Sequence, residues 1–329
     1  MGSVRISVVI PAYNCAHVLG TTLEHLSRQE YPRDAYEVVV VDDGSTDGTP
    51  EVVARWADSL PLRYLRQPNA GRAAARNRGA REARYEVLLF LDADVWAEAK
   101  LLTAHAAHYR QGGRVAVQGP SRTHPRSKVN PFMEVKELFP DLTPRRPHDL
   151  SPYHVITRNF SVRAEDFWRV GGFDEAFSGY GWEDIELGVR LRRSGVRIHW
   201  ESRAVTWHYH VEDLEGARRK LVEAGRGAVY FWNKHRRPLG LGLFLELHPL
   251  LLPLKWLVYR SGVFTPWIRR VLEHTERRLL SATGPSRKLW LAVANECYAH
   301  LLWHAYYEGV WQVLQEGSHP SIPVGRCAS

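Results

Sequence analysis

Short apolar runs alternate with segments of helical periodicity over the first 120 residues. Strands that are buried on both faces form continuous apolar runs, because helices cover a parallel sheet from both sides. The alternation therefore predicts a doubly wound α/β domain with right-handed crossovers. The predicted strands are Ile6–Ile10, Glu37–Val41, Arg63–Leu65 and Glu86–Leu91, and the predicted helices are Val18–Gln29, Pro50–Ser59 and Gly71–Arg84.

The later part of the chain follows a different pattern. Arg122–Ser151 is rich in proline, arginine and polar residues and has weak periodicity, which predicts a long loop of the kind that often covers a site. Residues 155–210 mix strand-like and helix-like segments, and from residue 214 the pattern is helical between prolines. We therefore predict an α/β domain over residues 1–213 and a helical region over residues 214–329.

Composition restricts the class of protein. The chain has 329 residues, 44% hydrophobic and 24% charged, which excludes a disordered chain, a collagen-like chain and a disulfide scaffold. Its cysteines, Cys15, Cys297 and Cys327, lie far apart and fit a reducing, cytoplasmic setting. No secretory signal is visible. The most apolar window, Leu239–Tyr259, is interrupted by prolines and charged residues, so no membrane span is predicted.

Positive charge is concentrated towards the end of the sequence. The net charge is +8, and residues 211–329 contribute 16 Lys and Arg against 10 Asp and Glu, together with six of the twelve tryptophans. This region is either a helical subdomain that packs on the core, or a surface for peripheral contact with an anionic membrane or for a homodimer. No long basic run or recognition motif occurs, so no nucleic-acid partner is expected.

Polar motifs follow the predicted strands, at Pro11–Asn14, Asp42–Asp47 and Asp92–Asp94. Ligands of doubly wound sheets bind beyond the carboxyl ends of the strands. Two carboxylates two residues apart suit a hard cation such as Mg²⁺ or Mn²⁺, whereas Asp42–Asp47 either binds a nucleobase N–H or caps the next helix. The sequence contains no dinucleotide fingerprint and no P-loop, so the phosphates of a bound nucleotide would need a divalent cation.

Two later motifs also have a chemical and a structural interpretation. Gly181–Asp184 opens a predicted helix over Glu183–Ser194, where the acids are either a general base beside an aromatic residue or a favourable first turn. In Trp207–His210, two histidines two residues apart on a strand face the same side. Either both are ordinary hydrogen-bonded histidines, or one of them is a metal ligand.

Six motif segments occur in a defined order: Val9–Asn14, Val41–Asp47, Asn69–Asn77, Leu91–Asp94, Gly171–Glu175 and Trp182–Asp184. Together they resemble the family 2 glycosyltransferases of the GT-A fold, over about residues 4–210. The resemblance implies a GT-A domain with a donor-binding half over about residues 1–120 and an acceptor and catalytic half over about residues 121–213. The helical region from residue 214 would be a C-terminal extension.

The resemblance also implies an activity and a cofactor. Family members transfer a sugar with inversion from a nucleoside-diphosphate sugar to an acceptor hydroxyl on a glycan, a lipid-linked molecule or a small molecule. A UDP-sugar is our first expectation and a GDP-sugar the second. Mn²⁺ or Mg²⁺ would be bound by Asp94 and His208, with His210 as the alternative ligand. Asp184 corresponds to the general base, and Glu183 is its rival.

The remaining site residues follow from the same resemblance. Gly181 and Trp182 would contact the acceptor or the donor sugar. Donor-binding residues would be Pro11, Ala12, Tyr13, Asn14, Asp42, Asp43, Gly71, Arg72, Arg76, Asp92, Ala93 and Asp94.

Other activities fit the sequence less well. A sugar-1-phosphate nucleotidyltransferase is expected to carry a glycine-rich phosphate loop after the first strand, where this chain has Pro11–Asn14. A degenerate GT-A module that binds glycan or membrane without catalysis is expected to lack the carboxylates that this chain retains. No Q-x-x-R-W motif follows Asp184, which disfavours a processive synthase. The expected location is the cytoplasm, with possible peripheral contact at the inner face of the membrane.

Overall fold

The computed structural model describes residues 3–110, 112–135, 148–177, 179–260 and 262–315. Its described residues form two compact units, and the chain passes between them several times. Unit 1 contains the described residues of 3–124, 148–177 and 183–210. Unit 2 contains the described residues of 125–135, 179–182 and 211–315.

A seven-stranded sheet forms the centre of unit 1. Its strands are β1 (Ile6–Ala12), β2 (Tyr36–Asp42), β3 (Leu62–Arg66), β4 (Val87–Leu91), β6 (Val115–Gln118), β8 (Asn159–Arg163) and β9 (Arg197–Trp200), numbered together with the strands of a second sheet. The spatial order is β3-β2-β1-β4-β8-β6-β9. Strand β8 is antiparallel to β4 and β6, and the other neighbouring pairs are parallel.

A smaller sheet of three short strands lies beyond the carboxyl end of β4. It consists of β5 (Val95–Ala97), β7 (Ser121–Thr123) and β10 (Thr206–His208), with β10 in the middle. Strand β5 follows Asp94 directly, and β10 is antiparallel to it, with His208 paired to Val95. The pairing therefore brings the histidine motif to the end of the aspartate motif, which lies more than a hundred residues earlier in the chain.

Helices cover both faces of the central sheet. Strand β1 shows the division: Ile6, Val8 and Ile10 belong to one buried apolar cluster, and Val9 belongs to another on the opposite face. The prediction of a doubly wound α/β fold with a mostly parallel sheet is confirmed. The helices of unit 1 are α1 (Ala16–Ser27), α2 (Thr49–Ala54), α3 (Arg72–Glu82), α4 (Leu101–Ala107), α6 (Ala164–Arg169) and α7 (Glu183–Arg193).

Unit 2 is helical, as the sequence predicts for residues after 214. Its helices are α5 (Pro131–Val135), α8 (Leu214–Lys234), α9 (Leu239–Phe244), α10 (Leu252–Lys255), α11 (Thr265–Leu279) and α12 (Gly284–Gln315), and a π-helical turn spans Trp256–Arg260. The described prolines of this unit lie between helices or at the start of a helix. Pro253 and Pro266 each occupy the first turn, where the missing N–H has no partner in any case.

Helices α8 and α12 approach each other at two glycines. A Cβ atom on Gly225 would lie 2.0 Å from the carbonyl oxygen of Tyr306, and one on Gly309 would lie 1.9 Å from that of Val222. Both contacts are with backbone atoms, which cannot rotate away as a side chain can. Glycine is therefore required at both positions for this crossing.

Two predictions for local structure are wrong. The helix predicted over Pro50–Ser59 ends at Ala54. Turns follow it, in which a backbone N–H bonds to the carbonyl three residues earlier, and Leu60 at their end is buried. The long loop predicted over Arg122–Ser151 instead contains β7 and α5 in its first part. Strand β7 exists because β10 pairs with it, a partner that local periodicity does not reveal. Residues 136–147 of that loop, and Cys327, lie outside the described residues.

Candidate active site

The loops that follow β1 and β2 are fastened to each other at the edge of the sheet. Asn14 has a left-handed backbone (φ 47°), and its side-chain oxygen accepts a bond from the Thr46 N–H at 2.8 Å. The Asn14 N–H donates to Ser45 Oγ at 3.0 Å. Asn and Asp tolerate this backbone region better than most residues. Tyr13, next to Asn14, is exposed, so this edge presents an aromatic ring on a fixed backbone.

Asp43 holds the turn that opens helix α3. Its Oδ1 accepts bonds from the Ala70 N–H at 2.9 Å and the Gln67 amide at 2.7 Å, and its Oδ2 accepts one from the Gly71 N–H at 2.8 Å. A carboxylate can accept about four hydrogen bonds. Three are used within the protein, so capacity for one further donor remains.

Asp42 has a supporting position behind Asp43. Its Oδ1 accepts a bond from the Ser45 N–H at 2.7 Å, and its Oδ2 accepts one from the Tyr64 hydroxyl. Burial and the Asp42 carboxylate raise the pKa of Tyr64. Asp42 is fully buried, so its direct role is to fix the loop that carries Asp43.

Arg76 connects three segments of the site. Its side chain is buried, and Nη1 donates to Glu183 Oε1 at 2.9 Å while Nη2 donates to Asp92 Oδ1 at 2.7 Å. Burial alone would raise the pKa of Asp92, but the guanidiniums of Arg76 and Arg72 outweigh it and hold that pKa below its ordinary value. The end of β4, helix α3 and the start of α7 are thereby tied together by charge.

Glu183 and Asp184 have different surroundings, although they are adjacent. Glu183 is buried and is paired with Arg76. Asp184 is partly exposed and accepts bonds from the N–H groups of Ile185 at 2.9 Å and Thr157 at 3.4 Å. Desolvation, followed by the Glu183 charge, raises the pKa of Asp184 to about 7, against the opposing effect of Arg76. A carboxyl group with a pKa near neutrality is suited to proton transfer.

Asp94, His208 and His210 form a candidate metal centre. One ligand atom from each lies within 4.8 Å of the others. His208 Nε2 is 3.2 Å and His210 Nδ1 is 3.7 Å from Asp94 Oδ2, and the two imidazole rings stack with centroids 5.4 Å apart. Burial lowers the pKa of His208. Burial therefore favours the neutral imidazole, which is the form that binds a metal ion. The predicted ligands Asp94 and His208 and the alternative His210 are thus brought together.

The structure adds two residues that sequence analysis did not identify. Arg158 lies with Nη1 3.4 Å from His208 Nδ1, and Thr157 donates its N–H to Asp184. Both precede β8, whose first residue, Asn159, pairs with Leu91 at the end of β4. Their position depends on antiparallel pairing of β8, and no local motif in the sequence marks it.

Several buried polar atoms at this site lack a hydrogen-bond partner among the described residues. They are Arg76 Nε, Thr157 Oγ1, Arg158 Nε and Glu183 Oε2. Buried polar groups are normally hydrogen-bonded, so a group of exceptions in one place points to a bound polar ligand or water. This group lies around Asp92 and Asp184.

Comparison with known families identifies the unit that carries this site. A family model described as glycosyl transferase family 2 matches residues 7–171, half of the chain. The chain belongs to glycosyltransferase family 2. A second model, described as the N-terminal domain of galactosyltransferase, matches residues 150–213, which contain Arg158, Asp184 and His208.

Curated relatives of this family member carry names for different activities. The validoxylamine A glucosyltransferase of Streptomyces hygroscopicus subsp. jinggangensis is 37% identical over 290 residues, which cover 79% of this chain and 65% of the relative. The chondroitin synthase of Escherichia coli is 30% identical over 240 residues, 62% of this chain and 34% of the relative. The chain spans less than two thirds of the length of these relatives.

Solved structures share the GT-A fold. The mannosyltransferase PcManGT from Pyrobaculum calidifontis, in complex with GDP-Man and Mn²⁺, superposes with a TM-score of 0.59 at 22% identity, covering 95% of this chain and 88% of that protein. TarS of S. aureus, residues 1-349 with UDP-GlcNAc, gives 0.55 at 19% identity, covering 93% and 92%. The predicted fold class and family are therefore confirmed.

Gly181 and Trp182, predicted to contact sugar, are residues of unit 2. Both have left-handed backbones, with φ of 90° and 74°, and a bulky residue rarely adopts this conformation. The Trp182 indole N–H donates to the Ala224 carbonyl at 2.6 Å, and its ring lies against Phe231 and Phe244. The indole is thus anchored to helix α8 and to α9. Its contact with a sugar remains a prediction.

Proposed function

We propose that this family 2 member transfers a glycosyl group from a nucleoside-diphosphate sugar to an acceptor hydroxyl, with inversion at the anomeric carbon. The observation that carries the proposal is the set of groups at the carboxyl end of β4. A base with a pKa near 7, a cation-binding cluster and unpartnered buried donors all belong to unit 1. The combination provides a proton acceptor together with positive charge for a leaving diphosphate.

Asp184 is the general base in this proposal, rather than Glu183. Glu183 is committed to Arg76 through a buried ion pair at 2.9 Å, so its Oε1 is engaged within the protein rather than open to an acceptor hydroxyl. Asp184 is partly exposed and its pKa is raised to about 7, so near neutral pH it can accept the proton of an acceptor hydroxyl. One base suffices for a single displacement, which inverts the configuration.

Asp94, His208 and His210 would hold a divalent cation. The donor set of two imidazoles and one carboxylate fits Mn²⁺ better than Mg²⁺, which prefers oxygen ligands. When bound, the cation supplies Lewis-acid stabilisation of the diphosphate. Arg158, beside His208, would add a fixed positive charge near the same oxygens, and Arg72, exposed at the start of α3, would add another.

The donor is proposed to be a UDP-sugar. Tyr13 and the remaining acceptor capacity of Asp43 provide a ring face and an acceptor for the uracil N–H. Glucose and a small-molecule acceptor are the first choice, since the relative at 37% identity is named for glucosyl transfer to validoxylamine A. GDP-sugars are the second choice.

The test is a transfer assay with purified protein, Mn²⁺ and a panel of UDP- and GDP-sugars, using validoxylamine A among the acceptors. We expect Asp184→Asn to reduce kcat by about 10²–10⁴-fold while the Kd for UDP changes little, because the base acts on the acceptor. The exposed Asp58→Asn is the matched control. Wild-type turnover in Asp184→Asn would refute the base assignment, and absence of transfer from every donor would refute the activity.

A further inference from the structure

Unit 2 exposes an unusual density of large apolar side chains within one stretch of sequence. Among the described residues, eleven of the nineteen exposed large hydrophobic side chains fall between residues 239 and 267. We call these eleven side chains the 239–267 surface. They are Leu239, Leu243, Phe244, Leu250, Leu251, Leu254, Trp256, Leu257, Val263, Phe264 and Trp267.

The same stretch also has a buried side that is fully engaged. Leu241, Leu245 and Leu247 are buried, and the Tyr306 hydroxyl donates to the Leu245 carbonyl at 2.6 Å. Tyr307 donates to the Glu246 carbonyl at 3.1 Å. The segment is therefore fastened to α12 by two tyrosine hydrogen bonds, and three of its leucines are buried. The eleven side chains of the 239–267 surface are different residues from these three buried leucines.

Charge along this stretch of the sequence is mostly positive. Residues 234–270 contain seven Lys and Arg and a single acid, Glu246. Glu246 is already paired with Lys255 at 2.9 Å. Arg236 and Arg270 are exposed at the two ends of the stretch. Apolar side chains, including two tryptophans, together with cations and very little negative charge form a composition that suits an anionic lipid interface.

We propose that the 239–267 surface docks this protein on an anionic membrane. The contact is interfacial, because no helix in the described parts of the chain is long and apolar enough to cross a bilayer. The Leu, Phe and Trp side chains enter the boundary between head groups and acyl chains, and the arginines bind the lipid phosphates. This inference does not depend on the proposed function.

A second copy of the chain fits the surface less well. A symmetric dimer contact joins the same patch of both subunits, so Arg236 and Arg270 would face a patch that carries the same excess of positive charge. The one acid of the stretch cannot offset that repulsion, since Lys255 already neutralises it. Anionic lipid supplies the missing negative charge.

The experiment is co-sedimentation of the full chain with vesicles of phosphatidylcholine alone or with 30% phosphatidylglycerol. Each is measured at ~0.05 M and ~0.5 M salt, because salt screens the attraction between cations and anionic lipid. We expect binding to the anionic vesicles at low salt and marked weakening at high salt. Leu250→Ser with Leu254→Ser should weaken binding about tenfold or more. Arg236→Gln with Arg270→Gln should weaken it about fivefold for each charge removed.

The control is Leu280→Ser, which removes a leucine that is 87% exposed but lies outside the 239–267 surface. It should bind vesicles as the wild type does, and circular dichroism should show all variants folded. Failure of the folded wild type to bind anionic vesicles at low salt would overturn the proposal. A concentration-dependent dimer that Leu250→Ser with Leu254→Ser dissociates, without vesicle binding, would identify a second copy as the occupant and also overturn it.

Discussion

Arg76 sets the electrostatics of the candidate active site at the scale of single residues. Its one buried guanidinium pairs with Glu183, which is 107 residues away from Arg76 in the sequence, and with Asp92, which is 16 residues away. The sequence identified all three residues through a resemblance to known motifs. It left open whether Glu183 or Asp184 is the base, because only the three-dimensional pairing distinguishes two adjacent carboxylates.

The pH dependence of transfer should report the ionisation of Asp184. Its pKa is raised to about 7, and only the ionised form accepts a proton, so kcat/KM should rise with pH through about 7. Glu183→Gln removes the neighbouring negative charge, so we expect the midpoint to move to lower pH. A pH–rate profile measures this, with the exposed Glu165→Gln as control. An unmoved midpoint in Glu183→Gln would contradict the assigned cause of the shift.

Removing Arg76 should also destabilise the fold. Arg76→Met removes the closer cation of the buried Glu183 and leaves it with Arg72, at 3.8 Å, and breaking a buried pair from one side costs about 3–5 kcal/mol. Arg81→Met, at an exposed position on the same helix, should cost about 0–1 kcal/mol. Urea denaturation of the two variants measures the difference. Equal stabilities would show that the Arg76 pairs contribute little.

At the scale of elements, periodicity predicts most helices and buried strands but does not predict which strands pair with each other. The strands ending at Ala12, Asp42 and Leu91 are those that apolar runs predict, with small shifts at the ends. Strand β7 has three residues and exists through its pairing with β10, so no apolar run of its own marks it, whereas the sequence does predict that the histidine motif at Trp207–His210 lies on a strand. Arg158 escaped detection for the same reason, since its position follows from the pairing of β8.

The crossing of α8 and α12 should be sensitive to a single methyl group. Gly309→Ala puts a Cβ against the Val222 carbonyl, and overpacking of this kind costs about 1–3 kcal/mol. Gly240→Ala is the control, since a Cβ there meets nothing within 4 Å and alanine favours the helix by about 1 kcal/mol. Thermal melts should show opposite shifts for the two variants. A melt of Gly309→Ala equal to wild type would mean that the helices can separate without cost.

At the scale of the whole molecule, the sequence shows how charge is distributed, but it does not show how the chain is divided into two compact units. Residues 125–135 and 179–182 belong to unit 2 although they lie within the first 210 residues. Nothing in their composition marks this, because membership of a unit depends on packing between distant segments. The excess of positive charge after residue 211, in contrast, is visible in the sequence and lies around the 239–267 surface.

Colloidal behaviour should follow from the charge and the exposed apolar surface together. The sequence pI is about 9.5, so mutual repulsion between molecules falls as the pH approaches that value. Apolar patches can then associate, and light scattering should rise from pH 7 towards pH 9.5. Leu250→Ser with Leu254→Ser should scatter less than wild type at the same pH. Flat scattering for the wild type over this range would contradict the expectation.

The glycine crossing of α8 and α12 has a consequence for the order of events during synthesis. Gly225 leaves the ribosome well before Gly309, which supplies the matching contact. At about 5–20 residues per second, the roughly 80 residues between them take about 4–16 s to synthesise. Throughout that interval Gly225 lacks its native contact with α12, because α12 has not yet been synthesised. The nascent chain is therefore open to chaperone capture at this helix until α12 emerges.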